Sequence, residues 1–294
     1  MQYWFMFPVG IFVATAAMLS GIGGAAMFIP IFVLGFPLLG PEYPLSTSAA
    51  IGTAVLTQVF GFMSGFAGYY RKRLIDFRSA VPYACIAVPV AAAGATLFGG
   101  LQSHETLLKG AYAVLMLALC AIVLRRTHPS APSGPQPASL REDDQTEIRT
   151  VTDRSGNAYR FARPRPRAFG ASVTGIGAFL TGFLGVGIGE VVLPLLVKRH
   201  RVPIAVAAAT SVFIVILTVL TASFMQVGLL IKAGGFGAVP WNLVCYTIPG
   251  VIIGGQIGPL LQGRIDQRTI ERAIAFLFAA IGGAMAVIAL KGFL

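Results

Sequence analysis

One carboxylate, Glu190, stands inside the long apolar stretches of this chain, where an ionisable group is costly enough to be a functional candidate by default. A carboxyl held there can take up a proton together with a ligand, and its plainer reading is an acidic residue set against the positive end of a helix, or one exposed near the cytoplasmic end. Glu190 closes the run Gly185-Val186-Gly187-Ile188-Gly189-Glu190, which leads through apolar residues to Pro194. An earlier run, Gly21-Ile22-Gly23-Gly24-Ala25, leads in the same way to Pro30. A helix broken at such glycines presents unpaired N–H groups at the start of the next helix, and these hold anions by hydrogen bonding and by the helix dipole. Two such ends meeting, with Gly21, Gly23, Gly24 and Ala25 from one and Gly185, Gly187 and Gly189 from the other, would form an anion cradle without an arginine. The competing reading is glycines that let helices pack closely. Thr53, Thr210 and Ser211, each near the start of a long apolar stretch, could donate to bound oxyanion oxygens or bond back to their own helix. Ser48, Gln58, Gln226 and Gln256 are further polar candidates.

These residues need elements to place them, and the composition says what kind. Hydrophobic residues are 56% of the chain and charged residues 11%, against about 25% charged in soluble domains. Stretches such as 49–70 and 205–231 reach the roughly 20 residues a helix needs to cross hydrocarbon. The expected fold is therefore an all-α polytopic membrane protein. The opening stretch, Tyr3 to Ser20, lacks a preceding Lys or Arg and is read as part of the mature protein rather than a signal peptide. Cys85, Cys120 and Cys245 have no metal-like spacing and are expected as small buried packing residues.

The two glycine runs sit 164 positions apart, and the same offset brings Asp76-Phe77 onto Pro240-Trp241 and Gly94 onto Gly258. The chain is thus a duplication. Its first half is read as pieces at 3–20, 25–36, 46–68, 79–101 and 106–124, and its second as 169–184, 190–197, 204–231, 241–261 and 270–290. The second piece of each half is too short to span comfortably, and Pro30 and Pro194 are expected to end those short helices. Basic clusters at Arg71-Lys72-Arg73 and at Lys198-Arg199-His200-Arg201 fall after different pieces of the two halves. Positive flanks mark the cytoplasmic side, so the copies are expected to be inverted, with broken or re-entrant helices, the linker inside and both termini outside. Inverted repeats suit secondary transporters with a site near the midplane. The net charge of +11 is explained by this topology, and no nucleic-acid partner is expected.

The expected division is a first transmembrane repeat over 1–126, a cytoplasmic linker over 127–167 and a second repeat over 168–294. Within the linker, 147–152 and 157–161 flank a Ser155-Gly156 turn and read as a β-hairpin. An isolated hairpin is marginal, so its support is either the membrane domain or a second subunit in a homodimer. Arg163, Arg165 and Arg167 are expected to meet anionic membrane lipid.

On the doubled motifs Gly21 to Pro30 and Gly185 to Pro194, with Gly52-Thr53 and Thr210-Ser211 following them, the chain resembles the sulfite exporter TauE/SafE family of bacterial membrane proteins. The resemblance implies export of sulfite or a small organosulfonate across the cytoplasmic (inner) membrane. From the residues themselves, no cofactor and no metal are expected. This chain departs from the all-glycine form at Ala25, Ile188 and Glu190. The alternatives are an anion channel, or a transporter of another small anion such as a carboxylate. An enzyme is not expected, because the sequence offers no nucleophile with its base, no metal cluster and no nucleotide loop.

Overall fold

The computed structural model describes residues 2–20, 23–40, 43, 45–126, 147–261 and 267–293. Gly21 lies outside the described residues. The first half runs α1 (Met6–Ser20), α2 (Ala25–Pro30), a π-helical turn (Ile31–Gly35), α3 (Phe36–Leu39), α4 (Thr47–Arg71), α5 (Phe77–Leu101) and α6 (Glu105–Arg126). A two-stranded sheet follows, β1 (Ile148–Thr152) and β2 (Ala158–Ala162). The second half runs α7 (Ala168–Leu184), α8 (Ile188–Pro194), a second π-helical turn (Leu195–Arg199), α9 (Ile204–Gly234), α10 (Trp241–Leu261) and α11 (Gln267–Phe293).

Among the described residues, five helices are long and apolar enough to cross a membrane: α4, α5, Glu105–Leu124 of α6, α9 and α10. Phe12, Val114, Ile176, Phe224 and Phe276 are all more than half exposed, an outward apolar surface that lipid, not water, can solvate. Cys85 and Cys245 also face outward, while Cys120 is buried. This corrects the expectation of three buried cysteines. In lipid an apolar helix has no need to turn its apolar residues inward, so apolarity does not predict burial.

Local chemistry sets the helix ends. The Ser46 hydroxyl accepts the Ala49 N–H at 3.2 Å and caps α4. Gly185 ends α7 at φ +79°, a left-handed residue whose N–H returns to Thr181 O. The two prolines do not end their short helices. Pro30 and Pro194 each lie in the last helical position before a π-helical turn, and the chain stays helical to Leu39 and Arg199. A proline supplies no N–H and crowds the preceding turn, and a widened turn is one way a helix accommodates such a disruption. At about 1.5 Å per residue, the fifteen residues of Ala25–Leu39 reach roughly 22 Å, short of the roughly 30 Å hydrocarbon core.

Apart from the short α3, the same order of helices recurs in both halves, and the π-helical turns at 31–35 and 195–199 differ by the offset of 164 seen in sequence. Packing crosses between halves. α1 lies along α10 and α7 along α5, α4 packs on α10 and α9 on α5, and α6 pairs with α11. Gly94 and Gly258 permit the two crossed contacts. A Cβ at Gly94 would strike Phe179 O of α7, and one at Gly258 would strike Met18 of α1 and come within 3.4 Å of Thr15 O. Residues 15 and 179 again differ by 164, and small residues at both positions let the backbones touch.

The hairpin pairs Ile148 with Ala162 through Thr152 with Ala158, within a residue of the expected strands. Asp153 closes its turn, its carboxylate accepting Ser155 and Asn157 N–H at 2.8 Å each. The hairpin docks on its own chain. Phe161 is buried, Arg154 N–H donates to Lys72 O at 3.2 Å, and Arg149 pairs with the buried Asp76 at 3.2 Å. Arg163 pairs with Glu147 at 2.7 Å and donates to Arg78 O, so that side chain is committed to the docking.

Candidate functional site

The two glycine breaks meet. Glu190, on the first turn of α8, is buried, and its Oε1 accepts the backbone N–H of Gly23 at 2.7 Å. Gln58 of α4 accepts a second donor of this break, the Ala25 N–H, through its Oε1. Gly185 packs against the same junction from the other break. A Cβ there would collide with Val55 of α4 and lie 3.6 Å from Ala25 Cβ. Buried Tyr112 of α6 donates to Ala26 O at 2.9 Å. Thr181 closes the second break, its hydroxyl accepting Ile188 N–H at 2.8 Å while donating to Gly177 O at 2.9 Å.

Of the residues expected from sequence, Gly23, Ala25, Gly185 and Glu190 are thus brought together. Two donors of the first break are already satisfied, one of them by a carboxyl oxygen from the second, so a protein group already holds the place expected for a bound anion. Gly187, at φ +142°, sits under 3 Å from Gly177 O by its would-be Cβ and serves the close packing of α8 on α7. Gly189 is buried within α8. Gly24 has only ordinary contacts at a would-be Cβ, 3.8 Å to Ala17 and Gln58.

The hydroxyl candidates diverge. Thr53 is fully buried and its Oγ1 has no hydrogen-bond partner among the described residues. Thr210 instead accepts Asp76 N–H at 3.1 Å, tying α9 to the start of α5. Ser211 bonds back to Ala208 O of its own helix at 2.9 Å. Gln226 donates to Gly182 O at 2.5 Å, and Gln256 donates to Ser64 O at 2.6 Å. Tyr112 and Thr181 are missed by sequence reasoning. Their only sequence signal is a lone hydroxyl within an apolar stretch, shared with many residues that bond only their own helix.

Glu190 also faces a cavity of about 740 Å³ lined by α7, α8, the following turn and Ile122 of α6. Its wall includes Phe169, Val173, Val191, Pro194 and Leu195, and it holds the cations Lys198, Arg199 and Arg201. Arg199 lies over the Phe169 ring at 4.8 Å. Beside it, His200 meets the Tyr83 hydroxyl at 3.0 Å. Burial, then the charges of Arg199 and Arg167, hold the His200 imidazole below its usual range. The corresponding place in the first half is filled. Phe5, 164 positions before Phe169, packs edge-on against Phe36 and Tyr43, and Tyr3 stacks on Phe36 at 5.6 Å.

Comparison with known proteins agrees with this architecture. Residues 6–285 match the family model described as "Sulfite exporter TauE/SafE". The "Probable membrane transporter protein YunE" of Bacillus subtilis (strain 168) is 22% identical over 282 residues, covering 96% of each chain. The "Probable membrane transporter protein YjnA" of the same organism is 23% identical over 290 residues, covering 93% of this chain and 94% of the relative. No solved structure matches. With a family match that spans nearly all the helices described above, the chain belongs to the sulfite exporter TauE/SafE family of membrane transporters.

Proposed function

We propose that the protein is a secondary transporter that exports a small oxyanion, sulfite or a small organosulfonate, across the cytoplasmic membrane with a proton. The observation that carries this reading is the Glu190 carboxylate on the Gly23 N–H. A charged carboxylate is the stronger acceptor for that donor. Protonating Glu190 weakens its hold, and an incoming oxyanion can then take the N–H, so proton and anion binding are linked. Thr53 supplies an unused hydroxyl on α4.

Alternating access is favoured over a channel by the asymmetry of the halves. One break borders an open cavity, while the matching position of the other half is packed with Tyr3, Phe5, Phe36 and Tyr43. The reading takes the halves as inverted repeats, 1–126 and 168–294, with the linker and the Lys198 to Arg201 cluster in the cytoplasm and both termini outside. The cavity then opens inward. The linker hairpin needs no second subunit for support, since it docks on its own chain, and a homodimer would have to be held by the helices.

Proteoliposomes loaded with sulfite or a small sulfonate should release it, faster when the lumen is acidified. Failure of every anion to move under any gradient would remove the transporter reading. Currents of single-channel size in planar bilayers would replace it with a channel.

A further inference from the structure

The spanning helices fall into two sets, and neither set is a sequence half. α1 and α4 both pack on α10, with α2 against α4, while α7 and α9 both pack on α5, with α8 against α7 and α9. Among the described residues the sets join chiefly where α4 lies along α9. The glycine breaks meet across this divide, through Glu190 on Gly23 and Gly185 on Val55. The chain passes from one set to the other at the turns 72–76 and 235–240. The second turn is fastened by its own residues, with Trp241 stacked on Phe236 at 4.6 Å and donating to Phe236 O at 2.8 Å. The first holds Arg73 at φ +58°, a left-handed value uncommon outside glycine, and the linker hairpin lies across it. On the α4 side, Arg154 N–H donates to Lys72 O at 3.2 Å, and Lys72 in turn donates from Nζ to Pro259 O of α10 at 3.0 Å. On the α5 side, Arg149 pairs with Asp76 at 3.2 Å and Arg163 donates to Arg78 O at 3.3 Å. From there the chain enters α7 at Ala168.

The two holds are unequal. Parting Arg149 from Asp76, which is buried, would leave a buried charge without its partner. Arg154 and Lys72 are exposed, and water can replace their one hydrogen bond at little cost. We infer that the hairpin is a strap that rides with the α5, α7, α8 and α9 set and closes the 72–76 joint by gripping the end of α4, and that transport requires this grip to open. While closed, it keeps the two sets from turning about the joint, so the Glu190 and Gly23 junction between them stays as the structure shows it. The inference rests on the transport reading for its last step alone.

Arg154 is the second residue of the turn that Gly156 N–H closes on Asp153 O, a position that suits proline. Arg154→Pro therefore deletes the N–H given to Lys72 and spares the turn, whereas Arg154→Ala keeps the N–H and removes only an exposed side chain. Both are made with Cys85, Cys120 and Cys245 replaced by alanine and spin labels on Phe169→Cys of α7 and Leu260→Cys of α10, two exposed positions. Double electron–electron resonance in phosphatidylcholine nanodiscs should give one short-distance population in the labelled parent and in Arg154→Ala, and an added longer one in Arg154→Pro. Separately, Lys72→Cys/Arg154→Cys in the same alanine background should oxidise to a disulfide that stops methanesulfonate efflux from proteoliposomes until dithiothreitol restores it. Methanesulfonate is the probe because sulfite itself cleaves disulfides. Failure of the disulfide to form, efflux unchanged by it, or equal distances in Arg154→Pro and the labelled parent overturns the proposal. If the distances shift and the disulfide forms but the reduced protein releases no anion, the strap stands and the transport reading falls. If efflux proceeds at one rate in the oxidised and reduced forms, the reverse holds.

Discussion

Gly185→Ala should destabilise the protein by about 2–6 kcal/mol, and the two parts of that cost can be separated. Gly185 has φ +79°, and an L-residue held there costs about 1–3 kcal/mol. The new methyl would also collide with Val55, which is fully buried, and overpacking of this kind costs about 1–3 kcal/mol. Val55→Ala alone should cost about 1–3 kcal/mol through lost burial and the space it leaves. In the double variant the methyl introduced at position 185 occupies part of that space, so the collision vanishes and only the backbone strain remains. The double variant should therefore be less destabilised than the sum of the singles by about 1–3 kcal/mol. Unfolding by titration with a denaturing detergent, followed by tryptophan fluorescence, measures all three. Strict additivity, or a Gly185→Ala cost below about 0.5 kcal/mol, would refute the claim that the second break is locked against α4.

The docked hairpin, the histidine and the buried threonine give further tests. Arg149→Met leaves the buried Asp76 carboxylate, among the described residues, with the Ser79 hydroxyl 2.5 Å away as its remaining side-chain partner, and should speed tryptic cleavage within residues 147–167. Asp76→Asn/Arg149→Met, which removes both charges, should restore part of the protection. His200 has its folded pKa below its unfolded value, so the unfolded chain binds the extra proton first. Stability is full above the ordinary histidine range near 6.5 and is lost as pH falls from there through the lower folded value. The thermal midpoint should drop between about pH 7 and 5, and His200→Gln should flatten that drop. Thr53→Val buries no unsatisfied hydroxyl and should leave stability unchanged or raise it by up to about 1 kcal/mol. Anion affinity should fall in the same variant, and unchanged affinity would remove Thr53 from the site.

Helix positions could be read from the residues because lipid makes length and apolarity decisive. The starts of α5 and α10 fall at Phe77 and Trp241, where the offset aligns Asp76-Phe77 with Pro240-Trp241. The hairpin could be read because its turn chemistry is local, with Asp153 and Gly156 supplying it. The partners of buried polar groups could not. That Gln58 would satisfy Ala25, that Thr210 would reach Asp76 rather than a ligand, and that Glu190 would cross to Gly23 all depend on how separate helices meet. The π-helical turns are hidden because a proline in a short helix reads locally as a stop, and only the surrounding packing keeps the chain helical beyond it.

The central claim is that Glu190 exchanges its hold on Gly23 for a proton as the anion binds. Simultaneous recording of anion efflux and lumenal pH in proteoliposomes tests it most directly. The parent protein should lose protons from the lumen in fixed proportion to the anion released, and Glu190→Gln should still release anion with no accompanying proton movement and no dependence on lumenal pH. Unchanged proton movement in Glu190→Gln, or anion release by the parent with no proton movement, would contradict the account.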